Sequence, residues 1–234
     1  MRWLLFAFAV AGLSASAGCT GPGLFDRQSW IFGKDPPDDP ALLARIGPTP
    51  SQRIALVRTM REKMSDPAQA EHTAAELAER IKTETDASVR TEIVKALGDA
   101  KTRSGSAVLR AGLAYPRPDP DAEVREVICQ AWGRIGGDEA REALAAALAN
   151  DTDDQVRVQA AAALGKFKTQ GNMQTLAAAL EDSSIAVQHT AMQSMKRVSG
   201  QDFGDNAQSW REYAQRGPAV DETPSLASKL WPWH

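Results

Sequence analysis

The stretch D-A-S-V-R-T-E-I-V-K-A-L-G, Asp86 to Gly98, returns as D-A-E-V-R-E-V-I-C-Q-A-W-G (Asp121 to Gly133) and as D-D-Q-V-R-V-Q-A-A-A-A-L-G (Asp153 to Gly165). A looser copy, S-I-A-V-Q-H-T-A-M-Q-S-M-K, runs from Ser184 to Lys196. With the arginine of V-R as zero, Arg90, Arg125, Arg157 and the equivalent Gln188 follow one another at steps of 35, 32 and 31 residues. Position −1 is Val in every copy. Positions +3, +4 and +7 are apolar: Ile93/Val94/Leu97, Ile128/Cys129/Trp132, Ala160/Ala161/Leu164 and Ala191/Met192/Met195. Those offsets fall on one side of an α-helix, so each copy predicts a helix with one buried stripe. Position −4 is Asp86, Asp121, Asp153 or Ser184, residue types whose side-chain oxygen accepts an orphan amide hydrogen at a helix start. Gly98, Gly133 and Gly165 at +8 suit the left-handed residue that ends a helix.

A second helix follows each loop. Leu109/Leu113, Leu144/Leu148 and Leu176/Leu180 sit at +19 and +23, four residues apart and therefore on one face. Each unit is then a helical hairpin that leans on its neighbours, and the chain is all-α: an α-solenoid flanked by an extended tether and a tail. Counting back from Val57-Arg58 places Leu77 and Ile81 at the same two offsets, with a degenerate first helix from Ser51 to Met64 serving as a cap. Phe203, Trp210 and Tyr213 are expected to cover the other end. The divisions are 1–18, 19–50, the solenoid 51–215, and 216–234.

The D-x-x-V-R-x-x-A-A-x-A-L-G core and its spacing resemble HEAT repeats, particularly the short bacterial kind also found in phycobilin lyases. The resemblance implies that the V-R helices line the concave side. It implies no single activity.

The first nineteen residues read as an address. Met1-Arg2 is a positive start, Trp3 to Leu13 an uncharged apolar run, and Ser14 to Gly18 small and weakly polar before Cys19. Eleven apolar residues span about 16 Å as a helix, roughly half a hydrocarbon core, which favours an export signal over a permanent span. Ala17-Gly18-Cys19 resembles the lipobox of bacterial lipoproteins, which implies lipid attachment at Cys19 and a membrane-anchored body in the cell envelope. Ser16 departs from that pattern, and Ala15-Ser16-Ala17 also satisfies ordinary secretory cleavage. Prolines at 36, 37, 40, 48 and 50 make the next segment a tether, interrupted by Trp30-Ile31-Phe32. The tail ends L-W-P-W-H, with Trp231 and Trp233 flanking Pro232.

The 234 residues carry a formal charge of −3, which gives no general electrostatic case for nucleic acid. Two cysteines, Cys19 and Cys129, exclude a disulfide framework, leaving one bridge or a buried thiol at Cys129. His72, His189 and His234 lack metal-site spacing, and no nucleophile elbow, Walker loop or dinucleotide fingerprint occurs. No catalytic residue, metal or cofactor is therefore assigned. The conspicuous charges are expected to form a structural ladder of Asp86, Arg90, Asp121, Arg125, Asp153 and Arg157 bridging repeats. The polar positions beside it, Glu92, Lys95, Glu126, Gln130, Gln159 and Gln193, are candidates for contact with a protein or peptide partner, because they mix signs. The sequence thus points to an envelope scaffold. A bilin-lyase-like enzyme and a cell-wall glycan binder are the alternatives. Departures from the repeat, above all the long step containing Tyr115-Pro116-Arg117-Pro118, are where a specific function would lie.

Overall fold

The computed structural model describes residues 47–216; Cys19, Trp30-Ile31-Phe32 and the Trp231/Trp233 tail lie outside the described residues. Ten α-helices follow in order: α1 (Pro50–Lys63), α2 (Pro67–Arg80), α3 (Ala87–Ala100), α4 (Arg103–Gly112), α5 (Ala122–Ile135), α6 (Gly137–Asn150), α7 (Asp154–Leu164), α8 (Gln170–Ala178), α9 (Ile185–Ser199) and α10 (Ala207–Arg216). A short 3-10 turn, Ala179–Glu181, extends α8. No strand occurs among the described residues.

The helices form five hairpins in two rows. The V-R helices α1, α3, α5, α7 and α9 stack each on the next, and every one packs against its hairpin partner. In the other row α2 touches α4 and α8 touches α10, whereas α4 and α6, and α6 and α8, make at most marginal contact. The closer row must lie inside the bend, so the V-R helices take the concave side.

Apolar burial follows the sequence stripe. Ile93, Val94, Leu97, Ile128, Cys129, Trp132, Ala160, Ala161, Leu164, Ala191 and Met195 are all buried, as are the six leucines of the +19/+23 pairs. A fully buried leucine contributes about 1.5–3 kcal/mol, so the paired leucines are a large part of what joins the two rows. The N-caps also fall at −4. Asp86 accepts from the amides of Ser88 and Val89, and Asp153 from those of Gln155 and Val156. Asp121 and Ser184 stand at the cap position without a side-chain capping bond.

Two local readings change. First, the +8 glycines do not end helices in the left-handed region. Gly98 and Gly133 lie inside α3 and α5, and Gly165 caps α7 at φ −60°. Each instead marks a close approach to the next V-R helix. A Cβ on Gly98 would stand 2.6 Å from Ala131 Cβ, one on Gly133 3.0 Å from Ala163 Cβ, and one on Gly165 2.7 Å from Ser194 Oγ. Ala131, Ala163 and Ser194 all occupy +6, so a glycine at +8 meets a small residue at +6 of the following repeat.

Second, the zero of the first unit is Arg53 rather than Arg58. Thr49 caps α1 at −4 with a full capping box to Gln52, and Val57 and Met60 fall at the buried +4 and +7. At the far end of the array, α10 is the second helix of the fifth hairpin. Trp210 and Ala214, four residues apart and both buried, stand where the leucine pair stands elsewhere. Phe203 packs edge-on against Trp210 at 4.8 Å between ring centroids, and Trp210 Nε1 donates to the Gly204 carbonyl at 2.9 Å.

The glycine contact predicts a coupled pair. Gly98→Ala gains about 1 kcal/mol of helix propensity but overpacks at a cost of about 1–3 kcal/mol, for a net loss in urea unfolding. Combining it with Ala131→Gly recovers part of that loss, so the two changes are non-additive. Gly171→Ala in α8, where a Cβ meets nothing within 4 Å, produces no loss.

Candidate functional site

The arginines of the V-R motif are the natural place to begin, because a planar guanidinium can grip a carboxylate with two parallel hydrogen bonds. Arg90 Nε and Nη2 donate to Asp119 at 3.0 and 3.2 Å. Arg125 donates to Asp151 at 2.8 Å from both nitrogens, and Arg157 to Asp182 at 2.8 and 2.9 Å. Arg53 does the same with Glu84 at 2.9 and 3.0 Å, which is what identifies it as the first zero position. The third nitrogen of each turns back to a carbonyl in its own loop: Pro48, Thr85, Asp119 or Asp151. Gln188 repeats that last contact, donating to the Asp182 carbonyl at 2.6 Å.

The acid in each rung lies at −6 of the following repeat, not at −4. This corrects the expected ladder at Asp86 and Asp153, which spend their carboxylates on helix caps. Asp121 makes no side-chain cap bond and does reach an arginine, Arg90 of the preceding repeat. The −6 acids have a second task. Glu84, Asp119, Asp151 and Asp182 each accept from the backbone amide two residues on, at 2.8–3.0 Å. One carboxylate thus fixes both the loop before a V-R helix and the arginine of the helix before it.

The ladder is largely removed from water. The Arg125 and Asp151 side chains are only 7% and 1% exposed. Tyr115, from the long step between α4 and α5, donates its hydroxyl to the same Asp151. Burial alone would push the Asp151 carboxyl up. The hydrogen bonds from Arg125, Tyr115 and the Asp153 amide outweigh it and hold the group below its usual value. For Asp182 the hydrogen bond from Arg157 is the largest influence, also downward. Cys129 lies close to this cluster, and burial drives its thiol far up, so it packs as a neutral apolar residue.

The polar candidates are dispersed. Glu92 is buried and pairs with Arg58 at 3.1 Å. Lys95, Glu126 and Gln159 are half-buried, while Gln130 and Gln193 are exposed. Burial, followed by the charges of Asp153 and Glu123, raises the Glu126 carboxyl. Gln130 and Gln159 share a groove of about 220 Å³ with Arg134, Ala162, Ala163 and Lys166. Arg134 and Lys166 were not singled out in the sequence, although both stand at +9, as does Arg197. A larger groove of about 520 Å³ opens between α2 and α4 in the other row; alanines and Val108 line much of it, and Arg90 and Asp119 reach it. No group of three or more His, Cys, Asp and Glu placed to hold a metal ion occurs among the described residues.

A family model described as HEAT repeats matches residues 74–157 and again 114–196, together spanning more than half of the chain. No curated protein matches the sequence.

Two outcomes follow from the ladder. Tyr115→Phe strips one hydrogen bond from a charged acceptor and lowers unfolding free energy by about 1.5–3 kcal/mol in urea. The acid dependence has a definite sign. Asp151 and Asp182 titrate lower folded than unfolded, so the unfolded chain binds more protons as pH falls, and their contribution is present above about pH 4 and lost below it. Urea midpoints recorded from neutral pH downward therefore fall through that window. Asp182→Asn starts lower and falls less steeply.

Proposed function

The chain belongs to the HEAT-repeat family, and from that premise we propose that it is an exported, lipid-anchored scaffold that holds another protein of the bacterial cell envelope against its V-R face. The observation that carries this reading is the division of labour among its charges. The arginines and acids that would attract a catalytic assignment are taken up by the ladder, with bidentate partners 2.8–3.2 Å away. Between successive V-R helices the surface left to solvent carries the amides of Gln130 and Gln159 and the bases Arg134 and Lys166 around a shallow groove, which suits a protein or peptide ligand. Export and anchoring are supported by the order of Met1-Arg2, the apolar run Trp3 to Leu13, and Ala17-Gly18-Cys19. The proline-rich segment that follows would hold the array away from the bilayer.

Mass analysis of the mature N-terminus tests the address: diacylglycerol on Cys19 is the expected finding, and a chain that begins at Gly18 would overturn the anchor. The scaffold role is tested by crosslinking and recovery from membranes. A stoichiometric envelope protein is expected with the native chain, and recovery of none, under conditions that preserve other envelope complexes, would refute it.

A further inference from the structure

The V-R face is not electrostatically uniform. The ladder acids and the capping aspartates lie at the N-terminal ends of α3, α5, α7 and α9. At the opposite ends stand Arg134, Lys166 and Arg197, the +9 residues of three successive repeats. Positions +1 and +9 are separated by about 12 Å along a helix, more than the roughly 8 Å Debye length at physiological salt, so the two edges act as separate fields.

The cationic row is built into the stack. The Arg134 guanidinium lies 3.5 Å from where a Cβ on Gly98 would stand, the Lys166 ammonium 3.3 Å from that on Gly133, and the Arg197 guanidinium 2.8 Å from that on Gly165. Each cation therefore rests over the +8 glycine of the preceding helix, and Arg197 also approaches the Ala162 carbonyl at 3.4 Å. Proximity to a helix C-terminus favours a positive charge, which accounts for the placement. It does not account for the lack of a carboxylate partner at Lys166 and Arg197. The ladder arginines grip carboxylates, and Arg134 shares Asp99 with Arg61, at 3.5 Å on its own side. Lys166 and Arg197 are exposed and pair with no carboxylate among the described residues. Between Arg134 and Lys166 lies the groove that holds Gln130 and Gln159, with amide donors and acceptors to meet a peptide backbone.

We propose that this row binds an extended acidic peptide laid across α5, α7 and α9, with its carboxylates on Arg134, Lys166 and Arg197. The proposal rests on the scaffold reading and names the chemistry of its partner. Neighbouring helix axes are about 8–10 Å apart, which sets the spacing of the cations. A polyproline II strand rises about 3.1 Å per residue with three residues per turn, so acids at every third position fall on one side at about 9 Å intervals. The matching ligand is a proline-rich segment with acids at i, i+3 and i+6.

The test is a titration of the full chain, in mild detergent, against fluorescein-labelled Asp-Pro-Pro-Asp-Pro-Pro-Asp, read by anisotropy at about 0.01 and 0.15 M ionic strength. Saturable binding that weakens with salt is expected. Lys166→Gln and Arg197→Gln should each weaken it about two- to fivefold, the loss of one exposed ion pair. Lys63→Gln in α1 and Arg117→Gln in the α4–α5 loop should leave it unchanged, and circular dichroism should show every variant folded. Equal binding of an Asn-Pro-Pro-Asn-Pro-Pro-Asn peptide, equal binding by the Lys166→Gln/Arg197→Gln pair, tighter binding of an oligothymidylate, or no binding at all would overturn the proposal. If the envelope protein is still recovered by the Lys166→Gln/Arg197→Gln chain, the scaffold reading stands and only the acidic-peptide site falls.

Discussion

A two-pronged contact between a guanidinium on one hairpin and a carboxylate two residues ahead of the next helix cap is the constraint on which the array depends. The V-R arginine cannot be placed in that contact unless the following loop presents its −6 acid. The acid in turn cannot hold that direction unless it also accepts the amide two residues on. Two requirements met by one side chain leave little freedom in how a hairpin sits on its predecessor. Removing either charge alone strands the other away from water, which costs about 3–5 kcal/mol, whereas an exposed pair is worth at most about 1 kcal/mol. The buried ladder thus acts as a register device between repeats, while the leucine and valine stripes supply the larger, less directional share of the stability.

The glycine-to-small contact is the second constraint, and it serves the first. Bringing V-R helices to the distance at which an arginine spans to the next loop requires that something be missing from their interface. The +8 glycine facing Ala131, Ala163 or Ser194 is what is missing. The same absence of a side chain gives the +9 cations a seat over the backbone, so packing and surface charge are coupled through one position. At the end of the array the position is Lys196 rather than glycine. A long side chain at the point of closest approach is incompatible with another helix stacked the same way, which fits α9 being the last of its row among the described residues.

Much of this was legible in the residues. The valine, the apolar stripe, the −4 cap and the paired leucines identified the hairpins and the faces they bury, because each obeys a helical period that nothing else in the chain competes with. The rung acids were not found, although Glu84, Asp119, Asp151 and Asp182 stand at −6 without exception. An acid at −4 is nearer in sequence and recurs at Asp86, Asp121 and Asp153, and only the geometry shows that capping consumes Asp86 and Asp153. The glycines were misread for a related reason: glycine after Ala-Leu or Ala-Trp fits both a helix end and a close approach, and the deciding residue lies one repeat later at +6. Arg53 was hidden by a 37-residue step to Arg90, out of line with the shorter steps that follow. The cations at +9 escaped notice because a lone base near a helix end looks like ordinary dipole compensation. They become a row only when the helices are set side by side.

The most direct measurement of the account is a double-mutant cycle on the buried rung, with Arg125→Met, Asp151→Leu and both together compared in urea unfolding. If the pair is a dedicated bridge between hairpins, each single change is severe and the double costs much less than the sum of the two, giving a coupling of about 3 kcal/mol or more, while the bonds that Asp151 makes to Tyr115 and the Asp153 amide stay lost. Additive losses, or single changes that cost less than about 1 kcal/mol, would show that the stack does not depend on the ladder and would contradict the account.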